Sequence, residues 1–229
     1  MDSGQAARAV LHGRRDGDAL TPPEGGDGAA RFAARFPIVW HVIEAEGLPG
    51  LAAHGLLPAS GLRRLAGAAD SSANRDDYEP LALPGGGTAV LRLQIMPDAK
   101  LRPSLAGAYA GQPGMWRAHI NSHVFFWADP ARRDGFLRAT LRERARSRTA
   151  PSAAPPVVLA FDTQALLAPP GPDAFTTTFN TGSTVRGAAR ARRDEGTFRP
   201  VAAYRTGPVA ELALRGAVAP AVLARARLP

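Results

Sequence analysis

Ile38-Val39-Trp40-His41-Val42 is a short β-prone run that starts just after Pro37, and it predicts a first strand carrying one imidazole among apolar neighbours. Leu48, Leu51, Ala52 and Leu56 then recur at helical spacing with Gly55 as a stop, and a second short helix runs through Leu62 and Leu65. Asp70 to Gly87 reads as a polar loop, and Thr88 to Ile95 as the next strand. Pro97, Pro103 and Pro113 break any long element between Met96 and Ser122. Val124-Phe125-Phe126-Trp127 is too short for a helix and ends at Asp129-Pro130, where Asp129 can cap a helix from Ala131 to about Arg148. That helix is expected to bury Phe136, Leu137 and Leu141 and to expose a stripe including Arg132, Arg133, Arg138, Arg142 and Arg144. Val157 to Phe161 reads as a buried strand, with Asp162 capping the turn at Thr163. Thr176 to Phe179 and Val209 to Leu214 read as strands, Pro220 to Ala226 as a closing helix, and Asn180 to Gly196 as a loop too polar for core.

About seven short strands with a few helices, not in regular βαβ alternation, place the chain in the α+β class. Residues 1–30 are rich in Gly, Asp and Arg and read as a disordered or loosely attached leader, with a short helix over Gln5 to His12 left open. Residues 31–229 are then expected to form one domain. No apolar stretch reaches the roughly 18 to 20 residues of a membrane span, and no secretory signal opens the chain, so a cytoplasmic protein with no membrane partner is expected.

The chain has no cysteine, which excludes a disulfide framework, a zinc ribbon, a thiolate nucleophile and an iron–sulfur cluster; no metal is expected. A balance of 28 basic against 20 acidic residues gives a formal charge of +8, compatible with a polyanionic partner. Every cation but Lys100 is arginine, a planar fork suited to phosphate, although the abundance of Ala, Gly and Pro beside it also fits compositional bias. The arginine stripe after Asp129 reads first as a solvated helix face, because no aromatic is interleaved for base stacking.

His41 is either a hydrogen-bonded core residue or a ligand contact, since an imidazole inside an apolar strand must satisfy its nitrogens. Glu211, among Val209, Ala210, Leu212 and Ala213, is either the exposed side of an edge strand or a functional carboxylate. Phe125, Phe126 and Trp127 form an aromatic core strand or a stacking wall. In the run Asn180-Thr181-Gly182-Ser183-Thr184-Val185-Arg186, an ordinary Asn/Gly turn competes with a phosphate-contacting loop. A serine hydrolase is the weakest reading, because no G-x-S-x-G elbow surrounds Ser183.

Trp40-His41-Val42-Ile43, followed by Leu48, Leu51, Ala52 and His54-Gly55-Leu56-Leu57, resembles the opening motif of the ADP-ribosyltransferase superfamily. His123 to Asp129 resembles its middle motif, with Phe125 or Phe126 where many members carry tyrosine or serine. Ala210-Glu211-Leu212 and the following Val218-Ala219-Pro220 are similar to the third motif, most of all to that of the DNA-modifying DarT toxins. The chain also resembles an uncharacterised bacterial family with "N-x-x-VFFW" and "N-[ST]-G-[ST]-x-R" signatures, here Asn121 to Trp127 and Asn180 to Arg186.

The resemblance implies a split β-sheet core with short peripheral helices and NAD as substrate. It implies that His41 orients the dinucleotide and that Phe125, Phe126 and Trp127 hold the nicotinamide ring. Arg63, Arg64 and Arg186, with Asn180, Ser183 and Thr184, would contact the pyrophosphate, and Glu211 would stabilise the charge that develops as the glycosidic bond breaks. The acceptor stays open among a nucleic acid base, a protein, a small molecule and water. Val209 stands two residues before Glu211, where many members carry an acceptor-contacting Gln or Glu, which keeps an NAD glycohydrolase and a non-catalytic nucleotide- or nucleic-acid-binding module in view.

Overall fold

The computed structural model describes residues 28–69, 72–151, 154–168, 173–184 and 190–223. Most of the expected leader, including the helix considered over Gln5 to His12, lies outside the described residues, as does Arg186. The elements are, in order, α1 (Gly28–Arg35), β1 (Ile38–Ile43), α2 (Leu48–His54), α3 (Ala59–Leu65), β2 (Glu79–Ala82), β3 (Thr88–Leu91), α4 (Asp98–Leu101), α5 (Pro113–Asn121) and β4 (His123–Trp127). They continue with α6 (Pro130–Arg144), β5 (Val157–Asp162), α7 (Thr163–Leu167), β6 (Asp173–Thr177), β7 (Arg199–Pro200), β8 (Glu211–Arg215) and α8 (Pro220–Leu223). No described helix is long and apolar enough to cross a membrane.

Six strands form an antiparallel sheet in the order β5-β1-β4-β8-β6-β7, and β2 and β3 form a separate hairpin. The mixed α+β class is therefore as expected. Side chains alternate across the sheet, so Val124 and Phe126 of β4 and Leu212 and Leu214 of β8 enter one core, together with Val39, Phe161 and Phe32. Phe125 and Ala213 face the opposite side, where Trp116, Ile120 and Phe198 make a second core. The β1–β5 ladder is paired from Ile38 with Asp162 to Ile43 with Val157, and β4–β8 from His123 with Arg215 to Trp127 with Glu211. By contrast, β1 and β4 pair only at Trp40 and Trp127, and the ladder then stops.

Several expected boundaries move. The helix α1 begins at Gly28, inside the expected leader, because Phe32 is completely buried against Phe36 and Tyr204, and a Cβ on Gly28 would lie 2.2 Å from the Ala202 carbonyl oxygen. The expected polar loop from Asp70 to Gly87 contains β2, which buries Leu81 against its hairpin partner; Gly85, Gly86 and Gly87 close the turn with positive φ. The strand expected at Thr176 to Phe179 runs instead from Asp173 to Thr177, and Thr177 then donates its hydroxyl to the Phe179 carbonyl in the turn.

Helix α6 turns Phe136 inward as expected, onto Trp127 at 5.0 Å, but leaves Leu141 outside. Leu141 is 46% exposed and Thr140 is fully buried, donating to the Phe136 carbonyl. Two arginines set that face: Arg133 stacks on Trp40 at 4.8 Å and Arg144 pairs with the buried Glu44. Asp129 caps the helix as expected, accepting from the Arg132 amide at 2.8 Å. The Asn180 to Gly196 segment also departs from expectation, because Thr181, Thr184 and Arg193 are buried. Arg193 donates to Ser104 Oγ and to the Ala191 and Ser183 carbonyls, so a polar segment becomes interior.

Replacing Phe32 by alanine is expected to lower unfolding free energy by about 3 to 5 kcal/mol, since the ring fills a fully buried core position. Urea denaturation checks this; a loss below about 1 kcal/mol would mean that α1 is not part of the cooperative core.

Candidate functional site

A cavity of about 300 Å³ opens where β1 and β4 part. Residues of β1, β4, β8, the Asn180 turn and the segment around the β2–β3 hairpin line it. His41 spans the interrupted ladder: its Nδ1–H donates to the Phe125 carbonyl at 2.8 Å. A carbonyl can only accept, so Nδ1 carries the proton and Nε2 is left as an acceptor with no protein partner among the described residues. Burial holds the His41 pKa below its ordinary value, against the Phe125 hydrogen bond that raises it, and Arg92 pushes it down further. A neutral imidazole therefore faces the cavity.

Glu211 is the first residue of β8, in register with Trp127 on one side and Thr177 on the other. It is 4% exposed, which excludes the reading of an exposed edge position. Its Oε2 accepts from Thr181 Oγ1 at 3.0 Å and the Thr181 amide at 3.1 Å, and lies 3.0 Å from Thr177 Oγ1, whose one proton is shared with the Phe179 carbonyl. These contacts on one oxygen fix the carboxyl plane and leave Oε1 without a partner among the described residues at the cavity wall. Burial pushes the Glu211 pKa up to about 7, while those contacts and the charge of Arg132 pull the other way.

The structure thus brings His41, Phe125, Phe126, Trp127, Asn180 and Glu211 to one cavity. Of the aromatic residues, Phe126 is committed to the core, edge-on to Phe161 at 5.2 Å, whereas Phe125 and Trp127 are half-buried. Asn180 turns the chain, its Oδ1 accepting from the Gly182 amide at 3.0 Å. The other expected contacts are elsewhere. Arg63 is held by Glu79 and by the Ala69 carbonyl at 2.8 Å, and Arg64 is exposed; neither lines the cavity. Ser183 gives its carbonyl to Arg193 and Thr184 is buried toward the Ile95 carbonyl, so these two are outside the lining as well.

Residues that sequence reasoning did not single out complete the wall. Thr177 and Thr181 orient Glu211. Glu44, fully enclosed, pairs with Arg144 and lies 3.8 Å from Arg92, which also bonds Glu143 at 2.6 Å and sits 4.4 Å over the Phe136 ring. Burial raises the Glu44 pKa, and the two arginines oppose that rise. The available signals were Glu44 directly after the first strand and Arg92 as the one charge within the apolar run TAVLRLQI. Among the described residues, no three His, Asp or Glu side chains group to hold a metal ion.

The fold and cavity define an α+β domain with a cavity built into an interrupted antiparallel sheet. The model of a family of unknown function, DUF7002, matches residues 37–221, and the chain belongs to that family. The match spans all the strands and the whole cavity lining. No curated protein and no solved structure matches the chain.

The raised pKa of Glu211 has a consequence for stability. The folded state favours its neutral form, so the stability this group contributes is present below about pH 4.5 and is lost as pH rises through about 7. The Glu211→Gln variant lacks this titration, and its stability relative to wild type should improve between pH 5 and pH 8 by an amount approaching about 3 kcal/mol. Urea unfolding at the two pH values measures this; an unchanged difference would mean that the carboxyl is not buried as described.

Proposed function

We propose that the protein is an NAD-dependent ADP-ribosyltransferase that cleaves the nicotinamide glycosidic bond and transfers ADP-ribose to an acceptor. The observation that carries this reading is the pair of unengaged atoms, His41 Nε2 and Glu211 Oε1, in one cavity beside half-buried aromatic rings. A neutral imidazole nitrogen accepts from a ribose hydroxyl or carboxamide N–H, and a ring such as Phe125 packs on nicotinamide. A cavity of about 300 Å³ is at the small end of ligand sites, which suits the nicotinamide–ribose half of the dinucleotide.

In this mechanism the glycosidic bond breaks with its electron pair leaving on nicotinamide. Glu211, ionised, accepts through Oε1 from the ribose 2′-hydroxyl and stabilises the positive charge left on the sugar; the acceptor then bonds to the ribose carbon and loses a proton. The charge arises mainly in the transition state, so the carboxylate acts on the rate more than on binding. Nucleic acid is the acceptor that the charge favours: Arg132 at the head of α6 acts on Glu211, and Arg138 and Arg142 are exposed further along the same helix.

One observation favours a second reading, an NAD glycohydrolase. Val209, at the position where an acceptor-contacting polar residue would stand, is buried in the first core and presents nothing to an acceptor.

NAD labelled on the adenylate separates these outcomes when nicotinamide release and label transfer are followed with DNA, with RNA and in buffer alone. Glu211→Gln is expected to slow nicotinamide release by about 100- to 1,000-fold. The wild-type rate should rise with pH through about 7, because the ionised carboxylate is the working form. Release in buffer without transfer selects the glycohydrolase; no release under any condition, with no NAD binding, overturns both enzyme readings.

A further inference from the structure

Arg75 lies in the segment that leads into β2 and is tied to the strand exit of β3. Its carbonyl accepts from the Gln94 amide at 2.8 Å, and its Nε donates to the Arg92 carbonyl at 3.1 Å. The guanidinium lines the cavity, yet neither terminal nitrogen donates to an acceptor among the described residues, and Nη1 is shut off from water as well. Burial lowers its pKa to about 10, so the cation is held in a poorly solvated place.

The surrounding carboxylates are already engaged. Glu79, the acid whose charge acts on Arg75, is bonded by Arg63. Glu44 is bonded by Arg144, and Glu143 by Arg92. These three pairs leave Arg75 as the guanidinium of the cluster with no ion pair. A desolvated cation with two idle donors at a cavity wall costs stability unless an anion completes it.

We propose that Arg75 is the anchor for a phosphate group of the ligand, its idle Nη2 donating to a phosphate oxygen and its cationic charge facing the anion. This assigns phosphate recognition to the hairpin wall of the cavity and away from Arg63, Arg64 and the Asn180 loop. The choice of a nucleotide as the phosphate source rests on the NAD reading, whereas the anion site itself stands on the unpaired guanidinium. Nearby, Gln94 and Asn121 bond each other through their amides at 3.1 and 3.3 Å, giving the same wall a fixed polar edge.

Calorimetric titration with ADP-ribose, inorganic pyrophosphate, nicotinamide riboside and adenosine tests the assignment on wild type, Arg75→Gln and Arg75→Lys. ADP-ribose and pyrophosphate are expected to bind wild type, and Arg75→Gln to weaken ADP-ribose by about 10- to 100-fold while leaving the phosphate-free nucleosides unchanged. Arg75→Lys should recover part of the loss, because the charge is kept and the fork is not. Removing an unpaired buried cation should leave the melting temperature equal or higher, and if the glutamine variant does not fold, the lysine variant and the wild-type ligand series still decide. Arg75-dependent pyrophosphate binding without any nicotinamide release would keep the phosphate site and sink the transferase reading. Nicotinamide release with a KM for NAD indifferent to Arg75 would sink the phosphate site alone, as would pyrophosphate binding unaffected by either variant.

Discussion

The ladder between β1 and β4 closes at Trp40 and Trp127 and goes no further, and one imidazole takes over where the backbone bonds end. Each strand keeps a full partner on its other side, β5 for β1 and β8 for β4, so the sheet tolerates the opening without losing its core. A gap inside a sheet leaves backbone polar groups in need of partners, and His41 satisfies one of them, the Phe125 carbonyl. That single hydrogen bond fixes the tautomer, aims Nε2 at the gap and makes the gap a cavity with a defined acceptor. The position of Glu211 follows from the same arrangement, because the row that runs across the sheet from Trp40 through Trp127 continues to Glu211 and Thr177.

Around this opening the protein holds ionisable groups at the expense of stability. The Glu211 carboxyl is enclosed with one oxygen engaged and the other idle, Glu44 is enclosed between two arginines, and Arg75 forms no ion pair among the described residues. Buried charged groups of this kind seldom improve on apolar packing for stability alone, and perturbed groups gathered in a cleft are a physical mark of a functional site. The two cores on either face of β8 are more apolar by comparison: Leu212 and Leu214 fill one and Ala213 the other.

Much of this was legible in the amino-acid order. The β1 run, the Gly55 stop, the Asp129 and Asp162 caps and the aromatic β4 run are local signals, and each forms where its residues predict. His41 and Glu211 could be picked out because each is a polar residue in an apolar strand. What was hidden depends on contacts distant in sequence. The inward face of α6 is set by Arg133 on Trp40 and Arg144 on Glu44, so a hydrophobic pattern pointing to Leu141 misjudges it. Likewise Arg193 makes a polar segment interior by bonding Ser104, and β2 is concealed by the Asp- and Gly-rich stretch around it. Arg63 and Arg64 stand out in the sequence only by their place after the first helices, while the Arg75 guanidinium stands apart because Glu79, Glu143 and Glu44 are each taken by another arginine.

The central claim is that His41 and Glu211 act on one ligand, NAD, in the gap between β1 and β4. A double-mutant cycle on kcat/KM for nicotinamide release from NAD, measured for wild type, His41→Ala, Glu211→Gln and the double variant, tests it most directly. The account predicts release by wild type and single losses that do not add, because both residues would act on the same ribose. Release that neither substitution slows, or no release of nicotinamide at all, would contradict it.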